Sequence, residues 1–61
     1  MDCRTMGQAI DRAIEAHQAN YPESKPYSAE VTESHDGETY WVVLRAAHFS
    51  SPMAYAIAKF L

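Results

Sequence analysis

Apolar and polar residues alternate on both sides of a single Asp-Gly dipeptide. Tyr27 to Ser34 reads as a strand, His35-Asp36-Gly37-Glu38 as a tight turn, and Thr39 to Ala46 as a second strand. Asp-Gly between two β-prone runs is the strongest short-range signal for a hairpin. With Asp36 and Gly37 as the central residues of a type I′ turn, Ser34 pairs with Thr39 and Glu33 with Tyr40. The register then runs on to Ser28 opposite Arg45. Side chains alternate across a strand. One face therefore collects Tyr27, Ala29, Val31, Tyr40, Val42, Leu44 and Ala46. The other collects Ser28, Glu30, Thr32, Ser34, Thr39, Trp41, Val43 and Arg45. A slip of one residue would mix the two sets, so the sorting supports the register.

The first face is a core. The second is mostly polar but carries Trp41 and Val43. Tryptophan is enriched at the energetic centres of protein interfaces. A contact surface is therefore expected from Trp41, Val43, Arg45, Glu30 and Thr32, joined by Tyr55.

Met6 to Ala19 has the spacing of an amphipathic helix, with Met6, Ala9, Ile10, Ala13, Ile14 and His17 on one side. Thr5 followed by Gln8 fits a capping box at its start, and Asn20-Tyr21-Pro22 ends it. A second helix is predicted from Ser51 to the end of the chain. Ser51 would be its N-cap, Pro52 its first residue, and Met53, Ile57 and Phe60 its inner stripe. Ala54, Ala56 and Leu61 flank that stripe, with Tyr55, Ala58 and Lys59 on the other side. The expected architecture is one α+β domain over residues 1–61, in the order α-β-β-α, with the hairpin covered by two helices. The strand Thr39 to Ala46 is apolar and uncharged until Arg45. As an exposed edge it would invite pairing with another chain. Two hairpins meeting there would complete a four-stranded sheet in a dimer.

Size strengthens that expectation. A chain of 61 residues buries only roughly 60% of the surface its unfolded form exposes. Domains this small usually rely on a disulfide, a metal or a partner chain. Cys3 is the only cysteine, so no internal disulfide forms, and a reducing compartment is favoured. No apolar run approaches the roughly 20 residues of a membrane span, and the N-terminus lacks a signal-peptide layout. A cytoplasmic protein with no membrane contact is expected. Net charge is −3, and five of the eight acids fall between Glu23 and Glu38. The five basic residues form no cluster, which disfavours nucleic acid as a partner.

The residue types of catalysis are present without their spacing. His17, His35, His48 and Cys3 form no ligand pair of the HxxxH or CxxC kind. His17 lies on the apolar stripe of the helix and reads as a packed core histidine. His48, Ser50 and Ser51 stand at the opposite end of the strand from Asp36 and Glu38, so no nucleophilic triad is expected. Gly7 and Gly37 are the only glycines, too few for a phosphate-cradling loop. No cofactor, metal or catalytic residue is assigned. The expected function is a non-enzymatic protein-interaction domain that self-associates through its hairpin. One alternative is a small regulator or inhibitor of a larger host protein, a class that includes phage-encoded proteins. A second alternative is a nucleic-acid-binding module.

Overall fold

The hairpin forms in the register its alternation predicts. A computed structural model describes residues 2–59. Ser28 lies opposite Arg45, Ala29 opposite Leu44, Glu30 opposite Val43, Val31 opposite Val42, Thr32 opposite Trp41, and Glu33 opposite Tyr40. The elements in chain order are β1 (Asp2–Cys3), α1 (Met6–Asn20), β2 (Pro26–Glu33), β3 (Thr39–Ala46) and β4 (Met53–Lys59). They make one sheet in the order β1-β4-β3-β2, with β1 parallel to β4 and the other pairs antiparallel.

The turn differs from the type I′ expectation. Gly37 N–H donates to Ser34 O at 3.0 Å, so His35 and Asp36 are the central residues of the turn. Gly37 follows with φ of 73°, and no other residue type in the described chain has a positive φ. Only glycine adopts that conformation without steric cost. Asp36 instead uses its carboxylate: Oδ1 accepts from Ser34 Oγ at 2.6 Å and from Glu38 N–H at 3.0 Å. Tyr27 also departs from expectation. The register shifts between Pro26 and Ser28, and this bulge leaves Tyr27 71% exposed rather than on the core face.

Helix α1 starts where the capping signal placed it. Thr5 Oγ1 accepts from Gln8 N–H at 3.1 Å, and Gln8 Oε1 accepts from Arg4 N–H at 2.7 Å. The helix buries Ala9, Ala13 and His17 along one line, with Ile10 and Ile14 beside them against the core. Two alanines on that line let the helix lie close to the sheet. The core joins them to Cys3, Tyr40, Val42, Leu44 and Ile57.

The second helix does not form. Met53 to Lys59 is the strand β4, so the chain runs β-α-β-β-β and not α-β-β-α. Thr39 to Leu44 of β3 pair with Ala58 to Met53 of β4. Alanine favours helix by only tenths of a kcal/mol over most residues, and tertiary pairing overrides that preference. Ile57 is buried and Met53 and Tyr55 are half-buried on the α1 side, while Ala54, Ala56 and Ala58 are exposed. That is a period of two. Phe60 and Leu61, assigned to the stripe of the expected helix, lie outside the described residues.

This also corrects the expected seam between copies. The uncharged edge of β3 is filled by β4 of the same chain, and the four-stranded sheet is complete without a partner. No helix among the described residues is long and apolar enough to cross a membrane.

Candidate functional site

Because α1 covers one side of the sheet, the other side has no helix over it. The registers place three strands of side chains there. Thr32, Trp41 and Ala56 form one cross-strand row, Glu30, Val43 and Ala54 the next, and Ser28 and Arg45 the end of the face. Thr39 and Ala58 close the other end. Trp41 is 47% exposed and stands between a threonine and an alanine. Ala54, Ala56 and Ala58 make a low floor beside it. Of the expected contact residues, Trp41, Val43, Arg45, Glu30 and Thr32 therefore share this face. Tyr55 does not. It pairs with Val42 and points to the α1 side of the sheet.

Tyr55 belongs to a second feature at the far end of the sheet from the turn. His17, in the last turn of α1, is 1% exposed. Its Nδ1 lies 2.7 Å from Tyr55 Oη and its Nε2 lies 2.7 Å from Ser24 Oγ. Each hydroxyl can donate or accept, so either ring tautomer is fully satisfied. Ser24 is 5% exposed, and its N–H donates to Tyr21 O. Tyr21 and Phe49 pack on the imidazole with ring centroids at 5.3 and 5.5 Å, and meet each other edge-on at 5.0 Å. Burial pushes the Tyr55 hydroxyl above its ordinary pKa, with the neighbouring Tyr21 adding to the shift. Tyr55 therefore stays neutral and cannot supply the negative charge a catalytic imidazole needs behind it.

Beside the clasp lies an open cleft of about 540 Å³, lined by Asn20, Tyr21, Pro22, Glu23, Ser24, His48 and Phe49. A serine–histidine hydrogen bond at its floor is part of a nucleophile's geometry. Here the serine is buried and the histidine is backed by a neutral phenol. The arrangement is a clasp tying the end of α1, the 21–25 connector and β4 together.

Opposite the clasp, on the α1 side near the turn, Lys59 Nζ meets Glu33 Oε1 at 2.6 Å and lies 4.7 Å from the centre of the Tyr40 ring. The ion pair holds the Lys59 ammonium above its ordinary pKa. His35 and His48 are exposed, on the turn and the 47–52 connector. Among the described residues, no three of His, Cys, Asp and Glu gather as a metal site.

Sequence reasoning missed two things here. The alanine floor was readable as alternation in Met53-Ala54-Tyr55-Ala56-Ile57-Ala58-Lys59, but the helix signals at Ser51 and Pro52 outweighed it. Ser24 and Tyr55 as partners of His17 had no sequence signal, being joined to it only by the fold. No protein-family model matches the chain, and no curated protein or solved structure matches it either.

Proposed function

We propose that this chain is a small non-enzymatic protein-interaction domain that self-associates. The observation that carries the reading is the uncovered sheet surface. One whole face of the sheet, bearing Trp41, Val43 and the three β4 alanines, is left without a helix over it. Exposed apolar patches on small domains mark interaction sites. A chain this small also gains proportionally more from shared burial than a large one. The test is the mass in solution by light scattering across a concentration series. A dimer that dissociates on dilution is expected. A cooperatively folded monomer at every concentration would remove the reading.

Trp41 itself favours a second reading, in which a larger protein docks on the open face. In that case Trp41→Ala abolishes the capture of the partner that the wild-type chain shows, while the fold persists. Circular dichroism on the variant checks the last point. Capture unaltered by the substitution counts against the face as the contact. Nucleic acid finds little support on this surface, where Arg45 shares the face with Glu30 and no basic cluster forms.

A further inference from the structure

We propose that Asp36-Gly37 is a site of spontaneous backbone modification, the conversion of Asp36 to isoaspartate, which the hydrogen bonds of the folded turn hold back and opening of the hairpin tip releases.

The chemistry is intramolecular. The backbone nitrogen of the residue after an aspartate can attack the side-chain carboxyl carbon and close a five-membered succinimide ring. Here the new bond joins Gly37 N to Asp36 Cγ. The nitrogen gives up its proton, and the carboxyl releases its hydroxyl group, which leaves with a proton as water. A second water then reopens the ring at one of its two carbonyls. Attack at Cγ restores aspartate. Attack at the main-chain carbonyl leaves the chain running through Cβ and Cγ, with the former main-chain carbonyl as a carboxylate side group. One water leaves and one returns, so the reaction needs no reagent but solvent and changes no mass.

Sequence and structure together single out this dipeptide. Glycine has no Cβ to crowd the ring, and Gly37 is the only glycine that follows an acid or an amide. The space where a Cβ would stand on Gly37 is empty to 4 Å. His35, Asp36 and Glu38 are exposed, so water reaches the tip. Asp11 lies inside α1, where the next nitrogen is tied into the helix. Asn20 is followed by the bulky Tyr21, whose N–H donates to His17 O at 2.9 Å. Asp2 precedes the buried Cys3.

The folded turn opposes both partners in the reaction. Gly37 N–H donates to Ser34 O at 3.0 Å, and that bond must break before the nitrogen can lose its proton and turn to Cγ. Asp36 Oδ1 accepts from Ser34 Oγ at 2.6 Å and from Glu38 N–H at 3.0 Å. Both bonds favour the ionised carboxylate, which has no hydroxyl group to release. Ser34 therefore acts twice, its carbonyl on the nitrogen and its hydroxyl on the carboxylate. The same hydroxyl accepts from Thr39 N–H at 3.1 Å and closes the base of the tip. The buried core of β3 starts only at Tyr40. Exposed ends of this kind open locally at far lower cost than the whole fold. Rearrangement lengthens the backbone by one atom and takes the carboxylate off Cγ, so the bonds from Ser34 and Glu38 cannot reform as they were. The modification thus marks chains whose tip has opened.

The test incubates three samples in warm neutral buffer: the folded wild-type chain, the same chain in concentrated urea, and folded Ser34→Ala. Isoaspartate at position 36 is counted over time by electron-transfer fragmentation mass spectrometry, which reads the extra backbone carbon. The unfolded chain is expected to convert fastest, and the folded wild-type chain roughly tenfold or more slower. Ser34→Ala, shown to be folded by circular dichroism, should convert roughly fivefold faster than folded wild type, the weight of one net hydrogen bond. The comparison of folded and unfolded wild type needs no variant. Equal rates in those two samples overturn protection by the turn. A folded Ser34→Ala that converts no faster than wild type overturns the part given to the Ser34 hydroxyl. No isoaspartate even in urea overturns the site.

Discussion

At the scale of single residues, His17 shows how a polar group can sit in the core of so small a chain. Both ring nitrogens have hydroxyl partners, so its burial leaves nothing unsatisfied. Tyr55→Phe keeps the ring and its packing but strips Nδ1 of its partner. A buried group left unpaired costs about 1–3 kcal/mol. Urea unfolding of the variant should show a loss of that order at neutral pH. Ser24→Ala should cost a similar amount, and the double variant less than the sum, since both substitutions act through one imidazole. Additive losses would mean the three side chains do not work as a unit. His17 itself was legible from the helical spacing of its neighbours. Its partners lie seven and 38 residues away along the chain, a relation no local pattern contains.

At the scale of elements, the hairpin and β4 teach opposite lessons. The hairpin closes with a turn that Asp36 stabilises through its carboxylate. The Ser34 hydroxyl first, and then the Glu38 backbone N–H, hold its pKa below the ordinary value of 3.8. A carboxylate depressed in the folded state contributes stability that is present above the unfolded pKa. That contribution is lost as pH falls through the lower folded value. Asp36→Asn should therefore be less stable than the parent chain near neutral pH, with the difference shrinking below about pH 4. Thermal unfolding across an acid series checks this. A difference that persists undiminished into strong acid would show that the carboxylate charge is not what matters. Strand β4, by contrast, carries a good helix start and three alanines, yet pairs along β3. Its own alternation of large and small residues was the weaker local signal and the one that matched the fold.

Over the whole molecule, the chain solves its size problem partly by itself. Folding β4 against β3 supplies the strand that a partner was expected to provide. One helix then covers one face, and the other face and the β4 edge remain. The self-association expected at this scale has a chemical signature. The centre of the open face, Trp41, Val43 and the β4 alanines, holds no charge, so screening has little to act on there. The dimer expected in light scattering should keep nearly the same dissociation midpoint from low to high salt. Association that collapses as salt is raised would point instead to charged surfaces such as the acidic hairpin end.

The sequence alone determined the hairpin register, the limits and cap of α1, and the sorting of the hairpin into an apolar and a mixed face. Each of these is written in spacing between neighbours: a period of two on the strands, a helical period on α1, Thr5 and Gln8 at its start, Asp-Gly at the turn. Tertiary structure decided the fate of residues 53–59, the closing of the β3 edge and the partners of His17. Helix propensity differs by less than about 1 kcal/mol per residue among ordinary side chains. The ladder of hydrogen bonds to β3 and the burial of Ile57 outweigh it, and both exist only once the chain has come together.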